Sequence, residues 1–249
     1  MRTLAHCRLQ VAILAGTTAL LFVSRAFPQE PTKPGLLPFA PAGMADPERA
    51  FEQFFSSSTP ANQQTLDALE IPIQEERDYG AALVDAYMAE IKRQKMRVIR
   101  KGTDVDYLVK LVATIRPMMA NAERYPKITV CMIDSAEIEA RSFPGGTLFF
   151  SKGLLSLAPS EAALVGVVGH ELSHLDRGHQ LLPLRRTRLL QGASFDPQSL
   201  MSGIRLFSRP FRPEDEVVAD KDGATWAYRA GYDSREFARL LARMHERSQ

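Results

Sequence analysis

"VVGHELSHLDRGH", residues 167–179, decides how this chain is read: it holds three of the five histidines, a glutamate between two of them, and an apolar run leading in. Just upstream, Pro159-Ser160-Glu161 is a helix start with Ser160 as N-cap, and Gly178 is a C-terminal stop, so the stretch lies on one helix. On that helix His170 and His174 stand one turn apart and project from the same face, the spacing that lets two imidazoles converge on one zinc ion. Glu171 follows the first of them, where its carboxylate can take a proton from the metal's water and later pass it to a leaving amine. The alternative, a polar helix end that carries HExxH by chance, is disfavoured in a chain with so few histidines.

A catalytic zinc of this kind wants a third protein ligand and an open fourth position. His179 lies five residues past His174, which takes it to another side of the helix or beyond Gly178. A metzincin would place a glycine three residues and a histidine six residues after His174; Arg177 and Gln180 stand there, which excludes that class. His179 is therefore expected behind the ligands or at the surface. The better source of a third ligand is "EDEVVADKDG", residues 214–223. Glu216 and Asp220 are at i and i+4 on one helix face, so one carboxylate can bind zinc while the other accepts a hydrogen bond from a ligand histidine and fixes its tautomer. Taken alone, these acids would read as a solvated helix start favoured by the helix dipole.

Composition bounds the setting. At 249 residues, 45% hydrophobic and 24% charged, the chain can bury one sizeable core with a leader to spare. Residues 1–26 carry Arg2 and Arg8, then an apolar stretch from Val11 to Val23, then Ser24 and Ala26 spaced for signal peptidase. Export with cleavage after Ala26 is the expectation; the alternative is an uncleaved anchor, for which a stretch of 13 residues falls short of the ~20 a spanning helix needs. Losing Arg2, Arg8 and Arg25 from 31 basic residues leaves 28 against 29 acidic ones, a net charge of −1 that gives nucleic acid no basic surface to bind. Cys7 leaves with the leader, and Cys131 in "ITVCMID" reads as a small buried hydrophobe, so no disulfide framework exists.

From Phe27 to Pro47, prolines at 28, 31, 34, 38, 41 and 47 suit a solvated tether. The expected division is a signal peptide over 1–26, a Pro-rich linker and N-terminal extension over 27–70, and a catalytic domain over 71–249. Between about Ile73 and Asn121 the apolar spacing predicts two amphipathic helices broken by "RKGT". "KITVCMIDS" predicts a strand, "EARSFPGGTLFFSKGLL" a strand pair around Pro144-Gly145-Gly146, and two further helices come later, one ending at Gly231 and one in "DSREFARLLARMHER". His245 on the last helix reads as a solvated face residue. Between the ligand helices, Arg185, Arg186 and Arg188 cluster, and Leu200, Met201, Ile204, Leu206 and Phe207 form an apolar patch. A lid over the zinc and a helical hairpin that completes the core are equally good readings of that segment.

"PGGTLFFSKGLL", "SEAALVGVVGHELSH", "EVVAD" and "YRAGYDSREFARLLARM" resemble, in this order, the zinc metallopeptidases of the HtpX and CAAX prenyl protease family, particularly its exported BepA-like branch. The resemblance covers roughly residues 73–246. It implies a gluzincin endopeptidase in which His170 and His174 bind one zinc per chain, Glu171 is the general base, Glu216 is the third ligand and Asp220 supports a ligand histidine. It also implies an α+β fold, a mostly helical zincin-like domain with a small β-sheet beside the HExxH helix. Members of that branch carry Asn-Ala before the Pro-Gly-Gly turn where this chain has Glu139-Ala140, so substrate contacts along that edge are expected to differ. Many also run on into a His-Pro segment, whereas this sequence stops at Gln249.

The expectation is thus an exported, periplasmic or otherwise extracytoplasmic zinc endopeptidase acting on unfolded or extended polypeptides of the envelope. A membrane surface or an outer-membrane assembly partner belongs to the same expectation. The rival is a zinc-containing chaperone or binding module for envelope proteins with repressed proteolysis, against which the intact Glu171 argues.

Overall fold

In a computed structural model the described residues are 66, 68–191 and 211–247. The expected leader, most of the tether and the apolar patch at 200–207 lie outside them. The described residues from Glu70 onward belong to one compact unit. Its elements are helix α1 (Ile73–Arg93), strand β1 (Val98–Ile99), helix α2 (Thr103–Ile115), strands β2 (Thr129–Ile133), β3 (Ala140–Phe143) and β4 (Thr147–Ser151), and helices α3 (Lys152–Leu157), α4 (Glu161–Arg177), α5 (Leu182–Gln191), α6 (Pro213–Arg229) and α7 (Arg235–Arg247). This is the expected α+β arrangement, mostly helical with one small sheet. Among the described residues no helix is long and apolar enough to cross a membrane.

The sheet runs in the order β1-β2-β4-β3. β2 lies parallel to β4, with Cys131 opposite Phe149, and β3 lies antiparallel to β4, with Ala140 opposite Phe150. The β3–β4 connection is a turn closed by the Gly146 N–H on the Phe143 carbonyl at 3.1 Å. Pro144 presets its first corner, and Gly145 at φ 78° supplies the left-handed second corner that a side chain would strain. Strand alternation then sends side chains to two cores. Val130, Met132, Ala140, Leu148 and Phe150 face the cluster built by α2, α4, α6 and α7. Cys131, Ile133, Phe143 and Phe149 face Tyr79, Leu83 and Ile91 of α1 together with Leu181 and Leu184. Cys131 is a free, buried thiol, as expected.

Helix α4 is the axis of the unit, with every residue from Ala163 to Leu175 buried. Ser160 Oγ accepts the Ala163 N–H, and Gly178 ends the helix in the left-handed region at φ 64°. Across α4 runs α6, and the crossing is close because both helices present glycine. A Cβ on Gly223 would sit 2.6 Å from the Gly166 carbonyl oxygen, and one on Gly169 would sit 2.9 Å from the Gly223 Cα. Short carboxylates on α6 can therefore reach imidazoles on α4.

A buried acid ties the sheet to α1. Glu76 is 0% exposed and accepts bonds from Arg124 Nε (2.6 Å), the Tyr125 hydroxyl (2.7 Å) and the Gly145 N–H (3.0 Å), so it pins the turn after β3. Two boundaries differ from expectation. The second helix ends at Ile115 rather than near Asn121, because Pro117 has no N–H to continue it and the chain passes into short 3-10 turns. Residues 152–157, expected to continue the strand region, form the short α3, capped by Ser151 Oγ, which accepts the Leu154 N–H.

Candidate metal centre

Helical spacing puts His170 and His174 on the same side of α4, both fully buried, with ring centroids 4.7 Å apart. Their Nε2 atoms are 3.0 Å from each other. From α6, Glu216 places Oε2 at 3.5 Å from His170 Nε2 and Oε1 at 3.8 Å from His174 Nε2. The three groups offer ligand atoms within 4.8 Å of one another. Separations of 3.0 to 3.8 Å suit atoms that each lie ~2.0–2.2 Å from a shared ion.

The far sides of both imidazoles are fixed. His170 Nδ1 is 2.9 Å from Asp220 Oδ1, so its proton sits there and the Nε2 lone pair faces Glu216. Past the Gly178 turn the chain folds back, and His179 Nδ1 comes within 3.0 Å of His174 Nδ1. For His174 to keep its own Nε2 lone pair inward, its Nδ1–H must donate to His179. His179 then carries its proton on Nε2, 3.6 Å from Asp215 Oδ1, and Arg212 holds Asp215 through two bonds of 2.7 Å. Phe211 stacks on the His174 ring at 4.1 Å and 20°. His179 thus stands behind a candidate ligand, as expected.

The electrostatics are those of a cation site. Burial pushes the Glu216 carboxyl up to about 8, with Glu171, Asp220 and Asp215 adding to it and His170 opposing. Burial likewise pushes Glu171 up, against the pull of His170 and Ser142. On His170 burial resists charge, but the bond to Asp220 and the nearby Glu171 and Glu216 outweigh it and push the imidazole up. His174 is pushed well below its ordinary value by burial and by His170 and His179. His179 falls to about 4, chiefly through burial. Two carboxylates crowded into one dry site with two imidazoles are relieved by a positive ion.

Within the site two buried oxygens, Glu216 Oε2 and Glu171 Oε1, have no hydrogen-bond partner among the described residues. A buried acceptor without a donor costs stability unless something else meets it. The donor set of two imidazoles and one carboxylate, with Glu216 Oε2 unmet, fits zinc. The other oxygen of Glu171 is occupied: Ser142 Oγ donates to Oε2 at 2.8 Å, and the Gln180 amide donates to Ser142 Oγ.

The structure thus brings together all five residues singled out in the sequence: His170, Glu171, His174, Glu216 and Asp220. Reading the sequence missed Ser142, Gln180, Phe211, Asp215 and Arg212. For Ser142 a signal existed, a polar residue two places after Ala140 on an inward-facing strand position. His245 is exposed on α7. Of the arginine cluster, Arg188 pairs with Glu75 of α1 at 2.9 Å and Arg185 reaches the Gly178 carbonyl at 3.3 Å.

The sequence model for peptidase family M48 matches residues 109–247, more than half of the chain. No curated protein matches it.

Proposed function

The chain belongs to peptidase family M48 and is a metalloprotease, a hydrolase of peptide bonds; from that premise we propose an exported zinc endopeptidase of the HtpX and CAAX prenyl protease type, in its BepA-like branch, acting on unfolded or misassembled envelope proteins. The observation that carries this reading is the convergence of His170 Nε2, His174 Nε2 and Glu216 beside the unpartnered Glu171 Oε1. His170, His174 and Glu216 would hold the zinc. Bound there, zinc supplies Lewis acidity that polarises the scissile carbonyl and lets water give up a proton near neutral pH.

The remaining work falls to the chain's own residues. Glu171 Oε1 takes the proton of the attacking water and, as the carboxylic acid, returns it to the amine nitrogen as the C–N bond breaks. Asp220 and His179 keep the two imidazoles turned so that their Nε2 lone pairs face inward. Among the described residues β3 pairs only with β4, so its outer edge offers backbone N–H and C=O groups to an extended peptide. Recognition through backbone groups supports broad cleavage of unfolded chains. The basic and apolar leader with Ser24 and Ala26 supports export, and the Pro-rich tether suits a partner at a membrane surface or in outer-membrane assembly.

Metal analysis together with casein cleavage, with and without chelator, tests the activity. One zinc per chain and chelator-sensitive cleavage are expected; a zinc-loaded protein that prevents aggregation but cuts nothing would establish the chaperone reading instead. The edge is tested by scanning proline across a mapped cleavage site. Proline within two residues of the cut should suppress it, because it cannot donate to the strand.

A further inference from the structure

Ser142 and Gln180 are 1% and 2% exposed, and the zinc ligands do not use them. A buried hydroxyl and a buried amide are costly unless bonded, and here each bond has a forced direction. The Glu171 carboxylate only accepts, so the Ser142 hydroxyl must donate to Oε2. With its proton committed there, Ser142 Oγ can only accept from Gln180, which turns the amide nitrogen toward it. Gln180, Ser142 and Glu171 therefore form a one-way chain that ends on one oxygen of the general base and leaves the other bare.

We propose that Ser142, oriented by Gln180, is a positioning residue for hydrolysis. It pins Oε2, fixes the plane of the Glu171 carboxylate, and thereby assigns Oε1 as the oxygen that takes the proton from water. Without the hydroxyl, Ser142 keeps only the lesser pull of its backbone N–H on the carboxylate, which can then turn about its last torsion, with its broad wells, so that Oε1 loses its alignment. Ser142 also sits on the edge strand β3. The strand whose backbone would hold the peptide thus carries the side chain that aims the base, and one rigid element sets both. This inference rests on the metalloprotease reading of the site.

The test uses the full chain with zinc bound, in wild-type form and as Ser142→Ala, Ser142→Thr, Gln180→Met and the double Ser142→Ala/Gln180→Met. Turnover is read on a peptide that the wild type cleaves, alongside zinc per chain and thermal midpoint. Ser142→Ala should lose on the order of tenfold in kcat with KM within about twofold, the pattern of an interaction that matters only in the transition state. Zinc content should stay that of the wild type, and threonine, which keeps the hydroxyl, should restore most of the rate. The double variant should be no slower than Ser142→Ala, because both changes break one chain. The proposal is overturned by wild-type turnover in Ser142→Ala, by loss of zinc from that variant, or by a threonine variant as slow as alanine. A wild-type chain that holds zinc and cleaves no peptide overturns the function first, and this inference with it.

Discussion

Asp220 Oδ1 lies 2.9 Å from His170 Nδ1, and Glu216, one turn earlier on the same helix, faces the opposite nitrogen of the same ring. One helix therefore grips an imidazole from both ends, and the two carboxylates have different tasks. Glu216→Gln should remove most bound zinc. Asp220→Asn should keep the metal but weaken its affinity by about 10–100-fold, because the amide no longer fixes the tautomer. Competition with a chelator of known affinity separates the two, and equal losses would show that the pair is not divided in this way.

His179→Ala is expected to retain one zinc at saturating metal and to bind it roughly tenfold more weakly, since His174 loses the acceptor that holds its Nδ1–H. His179→Asn, whose amide can occupy the Nδ1 position, should recover part of the loss. If His179→Ala emerged free of metal at saturating zinc, His179 would be a ligand in its own right.

Glu171→Gln should bind zinc as the wild type does and lose about 10²–10⁴-fold in rate, the range for a positioned base. Zinc content and casein cleavage measured on one preparation suffice. Cleavage near the wild-type rate would remove Glu171 from the mechanism.

Metal-free protein should lose stability as pH rises above about 6.5, and zinc should remove the effect. Glu216 is held up to about 8 in the folded chain, above its ordinary 4.5. Folding thus keeps a proton that the unfolded chain sheds, and the stability this gives is full below 4.5 and gone once pH passes about 8. Glu171 and His170 are raised too and act in the same direction, whereas His174 and His179 are depressed, so their contribution is lost on acidification and opposes the trend only below 6.5. Denaturant midpoints of chelated protein between pH 6.5 and 8.5 give the slope; a flat profile contradicts the burial assigned to Glu216 and its neighbours.

Glu76→Ala should destabilise the fold by roughly 3 kcal/mol, because Arg124, Tyr125 and the Gly145 N–H lose their shared acceptor. Urea unfolding measures it. A change within about 0.5 kcal/mol, typical of surface positions, would mean the hub is replaceable.

The difference between features legible in the sequence and features hidden from it is one of range. Ser160 and Gly178 bracket α4 by local backbone chemistry, and HExxH and ExxxD are spacings within single helices, so all could be read without a fold. The strand pair announced itself through Pro144-Gly145-Gly146. Ser142 and Gln180 meet across 38 residues, and their contact depends on how β3 leans on α4, which no local pattern encodes. The parallel pairing of β2 with β4 is of the same kind. Asp215 and Arg212 lay in plain view, but an acid beside Glu216 has no distinguishing mark until His179 folds back toward it.

The family match begins at residue 109, inside α2, yet half of the sheet is covered by what comes before. Tyr79, Leu83 and Ile91 of α1 lie over Cys131, Ile133, Phe143 and Phe149, and Glu76 holds the hairpin whose strand carries Ser142. A fragment cut at residue 100 would retain His170, Glu171, His174 and Glu216 and still leave Cys131, Ile133, Phe143 and Phe149 without the α1 side chains, with only Leu181 and Leu184 left to cover them. Such a fragment would aggregate rather than digest. The stretch that bears the chemistry and the shortest stretch able to fold on its own are thus different lengths of chain, and the second reaches back at least to the start of α1.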